Sequence, residues 1–259
     1  MSRDPKDAVR TQFGRQASWY TVSGVHRASE GLETLVRLAS PSSEDRVLDV
    51  ATGTGFTALA LAPHCRRVVA LDFTSAMIRE AASLRQARGV SNLLFCLGDA
   101  EALPFVDAAF DLVTCRHAAH HFPDLPHALA EMARVVRPGG RVVIDDTCAP
   151  EDPALAALMN TWERRRDPSH VADLPPTRLQ EMLVDSGLEI QAVARSEVPQ
   201  AFDDWTRRSG TPPAEAEALR RGFLAASADA RAAFRIHVQG TRVCFSWDEV
   251  IIRSVKPGG

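Results

Sequence analysis

Apolar residues recur at helical spacing through residues 25–39 (VHRASEGLETLVRLA) until Pro41-Ser42-Ser43 stops them. The pattern then changes to short apolar runs that alternate with helix-periodic segments. Arg46 to Ala51 (RVLDVA) ends in Thr52-Gly53-Thr54-Gly55, and FTALALA follows at once. Val68 to Asp72 is a second run, with a helical pattern over 74–87 behind it. Leu93 to Leu97 leads to Gly98-Asp99. Phe110 to Cys115 precedes a helix over 125–136, and Pro138-Gly139-Gly140 turns into Arg141 to Asp145. Runs of this length bounded by turn residues read as buried strands. Strands alternating with helices predict right-handed βαβ units and a parallel sheet covered on both faces.

Beyond Asp146 the alternation slows. Residues 153–166 and 176–186 read as helices, the second closed by Gly187 as its C′ residue. Leu188 to Val198 reads as a strand. The Ala- and Arg-rich stretch 202–235 is helical, broken at Gly210 and Pro212-Pro213, and VCFSWDEVIIRSVK ends the chain as a strand. The expectation is one α/β domain spanning 1–259: a Rossmann-like, doubly wound, mostly parallel core at about 42–150 and 176–256. Segments 1–41, 148–175 and 200–240 would cap the carboxyl edge of the strands. Open sheets of this kind bind ligands at that edge, so the site belongs beneath the cap.

Composition narrows the function. The 259 residues carry 45% hydrophobic and 24% charged side chains, enough for a full core. A net charge of −3 provides no basic field, which argues against nucleic acid as a partner. No window approaches the roughly 18 uninterrupted apolar residues of a membrane span. MSRDPKDAVRTQFGRQ has no apolar core and does not read as a secretory signal. Five scattered cysteines without a C-x-x-C pair suit a reducing, cytoplasmic setting. A homodimer is left open.

The strand-to-helix loop Asp49-x-Ala51-x-Gly53-x-Gly55 is the first chemical signal, because glycine lets backbone amides approach a ligand closely. Gly53-x-Gly55-x-x-Ala58 also satisfies the dinucleotide fingerprint, and Asp72 at the end of the second strand suits ribose hydroxyls in either case. Other features separate the two. Asp49 would bind an ammonium or support the turn, but would repel a pyrophosphate. Asp99-Ala100 closes the third strand, placed for an adenine amino group.

LDVATGTGFTALALA, VVALDFTSAMI, GDAEALPFVDAAFDLVTCRHAAHHFPD and ALAEMARVVRPGGRVVIDD together resemble the successive motifs of a class I S-adenosylmethionine-dependent methyltransferase. The nearest subgroup resembles the ubiquinone/menaquinone-biosynthesis C-methyltransferases and their small bacterial relatives. The resemblance is densest over about 45–147. It departs at Ala51, where many members have glycine. It implies a seven-stranded sheet with an antiparallel C-terminal strand, and S-adenosylmethionine as cofactor. By the same resemblance Ala51, Gly53 and Gly55 lie along the methionine part, with Asp49 near its ammonium. Asp72 takes the ribose hydroxyls, and Phe73 and Met77 flank the adenine. Asp99 and Ala100 read the adenine edge, Arg116 and His117 line the pocket floor, and Tyr20 comes from the cap. The acceptor is expected to be a small molecule methylated on carbon or oxygen, in a quinone- or phenol-like class. A non-catalytic cofactor-binding module and a nicotinamide-dependent oxidoreductase are the rival readings.

A phenol or acidic carbon benefits from a base with pKa near 7, which points to histidine. His117, His120 and His121 crowd after the fourth strand. His120 and His121 are consecutive, so one is expected to be packed and the other to reach the acceptor. A metal set built on this run is disfavoured, since no remote Cys/His pair completes it. Asp145-Asp146 would hold a substrate hydroxyl or simply end a strand. Arg164-Arg165-Arg166 would complement a helix dipole or, with His170, form an anion-recognising rim.

Overall fold

The computed structural model describes residues 6–7, 9–14 and 30–258. Residues 6–7 and 9–14 are helical. Helix α1 (Glu30–Ala39) places Glu30 and Glu33 in its first turn and Arg37 in its last, as its dipole favours, and buries Leu32, Leu35 and Ala39. The alternation then follows the pattern of the sequence. Strand β1 (Arg46–Val50) feeds α2 (Phe56–Leu61), and β2 (Arg67–Asp72) feeds α3 (Ser75–Ala87). Strands β3 (Leu93–Leu97) and β4 (Phe110–Arg116) follow, and a 3₁₀ turn at Ala119–His121 leads into α4 (Leu125–Val135). Asp124 caps α4 by accepting from His127 N, and Asp152 caps α5 (Pro153–Arg166) by accepting from Ala154 N and Leu155 N. Strand β5 (Val136–Cys148) precedes α5. It starts five residues earlier than expected, because Val136 pairs with Phe110 before the register shifts across Pro138-Gly139-Gly140.

After α6 (Pro176–Asp185) come β6 (Glu189–Ala201), α7 (Phe202–Ser209), α8 (Pro213–Leu224), α9 (Ala228–Ala233), β7 (His237–Gln239) and β8 (Arg242–Val255). The sheet order is β3-β2-β1-β4-β5-β8-β6, the expected seven strands. Short β7 adds an eighth by pairing with β8. Strands β1 to β5 are mutually parallel, and β8 enters antiparallel between β5 and β6. Order reverses at β1 and β4, so their carboxyl ends diverge and open the crevice where such sheets hold ligands.

Two apolar layers cover the sheet. Leu129, Met132 and Leu183 pack with Leu48, Val113 and Ile252 on one face; Leu35, Ala58 and Leu61 pack with Val47, Val68 and Ile251 on the other. Helix α1, grouped with the cap from sequence, therefore packs on the sheet. A third core lies beyond the strand ends, where Trp162 stacks on Phe223 at 4.2 Å and Phe202, Trp205, Phe234, Phe245 and Trp247 close around them. Each such buried aromatic contributes about 1.5–3 kcal/mol, so α5, α7, α8, α9 and the first half of β8 form a cohesive unit over that edge.

Candidate active site

The loop after β1 turns through three left-handed residues: Ala51 (φ 53°), Gly53 (φ 54°) and Gly55 (φ 84°). Ala51 holds this conformation with a Cβ, at a cost of about 1 kcal/mol or more. A Cβ on Gly53 would project into open space, whereas one on Gly55 would press on Ala81 Cβ at 3.1 Å. Gly53 thus leaves a cradle, and Gly55 lets α2 start against α3. Asp72 ties this loop to the next: one oxygen accepts from Gly53 N and the other from Thr74 N, both at 2.8 Å. Burial raises the Asp72 pKa despite these amides. The cavity over the cradle measures about 1000 Å³ counting its open mouth, and Ala51, Gly53, Asp72, Phe73, Met77, Asp99 and Ala100 line it. Lys6 reaches across it, 2.6 Å from both Asp99 and Glu101, and Arg10 stacks on Phe73 at 4.1 Å. The helical residues 6–7 and 9–14 therefore form one wall.

At the end of β4, strand alternation sends neighbouring groups to different networks. Arg116 Nε donates to Asp145 at 2.9 Å, and left-handed His117 (φ 50°) sets Nε2 2.9 Å from Glu249. Burial and then Arg116 depress the His117 pKa, although Glu249 raises it. Burial works against ionisation of Glu249, yet His117 and Ser196 hold its carboxyl down at about 2. Among the described residues, His117, Asp145 and Glu249 form the cluster compact enough to suit a metal ion; the His117-His120-His121 run does not converge.

His120 and His121 part as adjacent residues must. His121 is buried, donates from Nδ1 to the Ser169 carbonyl at 3.0 Å and meets Phe13 edge-on at 4.8 Å. Burial and its neighbour His120 hold its pKa near 4. His120 sets Nδ1 2.7 Å from Asp146, whose other oxygen accepts from the His120 amide at 3.0 Å. Burial would depress His120, but the Asp146 carboxylate outweighs it and lifts the pKa to about 9. His120 also lines a second cavity of about 650 Å³, together with Glu163, Arg166, Asp173, Trp205, Arg208 and Trp247. Glu163 accepts from the Trp205 and Trp247 indoles at 3.1 and 2.6 Å and from Arg166 at 3.0 Å. Phe13, His117 and His121 line both cavities, so the two meet there.

The methyltransferase-domain family matches residues 48–144. An uncharacterised methyltransferase from Bacillus subtilis, YcgJ, is 37% identical over 95% of this chain and 98% of its own. The chain belongs to the class I S-adenosylmethionine-dependent methyltransferases. The crystal structure of YcgJ superimposes with a TM-score of 0.84, covering 88% of this chain and 99% of that one. A demethylmenaquinone methyltransferase from Thermus thermophilus is 39% identical over 50% of this chain and 60% of its own. Geranyl diphosphate methyltransferase in complex with SAM shares the fold alone, at 15% identity and a TM-score of 0.60 over 87% of this chain and 84% of that one.

The larger cavity of this methyltransferase suits its cofactor chemically. Three carboxylates, Asp72, Asp99 and Glu101, line it. They can accept hydrogen bonds from hydroxyl and amino groups, with Lys6 balancing the charge of Asp99 and Glu101. Arg116 and His117 also line it. Asp49 does not line it: the carboxylate is buried and accepts from Thr52 and Thr114 hydroxyls at 2.5 and 2.7 Å, with burial raising its pKa to about 6. Gly55 acts through packing, and Tyr20 lies outside the described residues. Lys6, Phe13, Thr52 and Glu101 escaped the sequence reading; their spacing carries no periodic signal. His170, expected on a rim, is buried and donates to Asn160 at 2.8 Å, with burial and then His120 depressing its pKa to about 2. Arg164, Arg165 and Arg166 lie in the last turn of α5, and Arg166 also lines the second cavity and pairs with Glu163 at 3.0 Å. Among the described residues no helix is long and apolar enough to cross a membrane.

Proposed function

We propose that this methyltransferase modifies a small molecule held in the second cavity, on carbon or oxygen, and that it works in the cytoplasm. The observation that carries the reading is the meeting of the two cavities at Phe13, His117 and His121 beneath helices α5 and α7. A concave acceptor space partly covered by α5 and α7 favours small substrates over nucleic acids or proteins. The partial likeness to a demethylmenaquinone methyltransferase supports a phenol- or quinone-like ring.

When bound in the larger cavity, S-adenosylmethionine would supply an electrophilic methyl group to a nucleophilic oxygen or carbon of the acceptor. Asp72 holds the ribose hydroxyls on its remaining lone pairs. Phe73 and Met77 flank the adenine, and Asp99 with Ala100 meets its edge. Gly53, with Ala51, admits the methionine part along the loop. Phe13 and the helical residues around it exclude water, and alignment alone is worth up to about 7–11 kcal/mol. His120 lines the acceptor cavity, and the Asp146 carboxylate 2.7 Å from its Nδ1 favours the imidazolium, so we propose that it acts near pH 7 as a charged donor toward the acceptor in place of a base.

Titration with S-adenosylhomocysteine tests the cofactor site. Asp72→Asn is expected to weaken binding at least tenfold and to lower the melting temperature of the still-folded chain by a few degrees, because the amide oxygen serves only one of the two backbone amides that the carboxylate accepts. Unchanged affinity refutes the placement. Incubation with methyl-labelled cofactor and a panel of small phenols tests turnover, and label transfer to none of them removes the phenol-like class.

A further inference from the structure

His121 stands where the two cavities meet, and its two ring nitrogens are not equivalent. Nδ1 faces two oxygens of Ser169, the carbonyl at 3.0 Å and the hydroxyl at 3.3 Å. That hydroxyl has a single proton, which it donates to Asp167 at 2.6 Å. Asp167 accepts from the Ser169 amide as well, at 2.9 Å, as a carboxylate does. Neither Ser169 oxygen can donate to Nδ1, so Nδ1 carries the ring proton. A second proton on the ring is opposed by burial and then by the charge on His120, whose ring centre lies 4.2 Å away, although Asp167 and Asp146 favour it. His170, the third ring of the group, commits its Nε2 to Asn160 and meets His121 edge-on at 6.4 Å. His121 is thus a neutral imidazole with its lone pair on Nε2. Among the described residues no group donates to that atom, and it keeps an open surface toward the cavities.

Resting on the acceptor site proposed above, we infer that the second cavity selects an acceptor bearing a hydroxyl on an aromatic ring, held by an O–H hydrogen bond to His121 Nε2. Phe13, Trp205 and Trp247 offer the ring flat apolar surfaces. A quinone carbonyl has lone pairs but no proton. It would meet the Nε2 lone pair unmatched, so the reduced, hydroxylated form of a ring is taken in preference to the oxidised form. His121 is the group that reads the hydroxyl. Ser169 and Asp167 position it by fixing which nitrogen is bare, a task separate from the His120–Asp146 pair.

The probes are phenol and fluorobenzene: one ring with a hydroxyl, the other with a fluorine of similar size that has no proton to donate. Heteronuclear NMR of the histidine rings is recorded on the full chain saturated with S-adenosylhomocysteine, with the His121 signals assigned by their loss in His121→Asn. Nδ1 is expected to be protonated and Nε2 bare; phenol should shift the Nε2 signal, and fluorobenzene should leave it in place. In parallel titrations phenol should bind about tenfold more tightly than fluorobenzene, the worth of one net hydrogen bond. The amide of His121→Asn can still donate to the Ser169 carbonyl but does not reach the Nε2 position, so it should bring the two affinities to within about twofold. His121→Gln, whose amide oxygen reaches that position, should restore part of the preference. A protonated Nε2 in the wild-type chain overturns the inference, as does an Nε2 signal that phenol does not move, equal affinity for the two probes, binding of neither, or a preference that survives in His121→Asn. If His121→Asn does not fold, the wild-type spectra, assigned with His121→Gln, and the wild-type affinities decide alone. If the wild-type chain does not bind S-adenosylhomocysteine, the cofactor reading falls and the same titrations on the free chain decide the role of His121. If it binds and Nε2 does not respond to phenol, only the hydroxyl recognition falls.

Discussion

Replacing Asp146 by Asn removes the negative charge that holds His120 protonated while preserving an amide oxygen for the His120 backbone. In the native protein the Asp146 carboxylate, 2.7 Å from Nδ1, overcomes burial and lifts His120 from an ordinary 6.5 to about 9. That shift corresponds to about 3 kcal/mol in favour of the imidazolium. Asp173 at 4.0 Å and Glu163 supply smaller attractions that survive the substitution, while burial continues to oppose the charge. In Asp146→Asn the His120 pKa should therefore fall by about two units, to about 7. The stability consequence has a definite sign. Because the folded pKa exceeds the unfolded one, the contribution is complete below about 6.5 and is lost as pH rises through about 9. The variant should be less stable than the native protein by about 2–3 kcal/mol at pH 6, with the difference narrowing toward pH 9.5. Histidine ring resonances, assigned with His120→Gln, report the titration directly, and urea unfolding at several pH values reports the stability. A His120 resonance in Asp146→Asn that still titrates above pH 8 refutes the reasoning, as does a stability gap that does not change with pH.

Glu163→Ala should destabilise the protein by about 3–5 kcal/mol, since it strands two buried indole N–H groups and removes the carboxylate partner of Arg166. A loss below about 1 kcal/mol in urea titration would remove Glu163 as the organiser of the cap. Binding of S-adenosylhomocysteine should slow amide exchange at residues 9–14 by roughly tenfold, because Lys6 and Phe13 lie against the cavity it fills. Equal exchange with and without it contradicts a closing role for this helix.

The local pattern determined a great deal. The alternation of short apolar runs and helical segments encodes the order β1 to β5 with their helices, because hydrophobic periodicity is set by nearest neighbours along the chain. Loop chemistry at strand ends was legible for the same reason: Gly53, Asp72, Phe73, Met77, Asp99 and Ala100 are placed by strands that precede them by a few residues, and the structure gathers them around one cavity. Tertiary packing decided the rest. Nothing in the sequence of Asp49 says whether it faces a ligand or its own sheet; the hydroxyl of Thr114, on the adjacent strand, answers that. His120 and His121 look alike in sequence, yet Asp146, brought up from β5, raises the pKa of His120, whereas burial and the neighbouring His120 lower that of His121 in spite of the Ser169 carbonyl. The second cavity is the clearest case. Glu163 meets Trp205 across 42 residues and Trp247 across 84, and such pairings depend on how β8 enters the sheet and carries its first half into the cap. Burial, charge pairing and the resulting pKa values belong to the three-dimensional neighbourhood, because desolvation and Coulomb energies depend on what lies within a few ångströms, irrespective of separation along the chain.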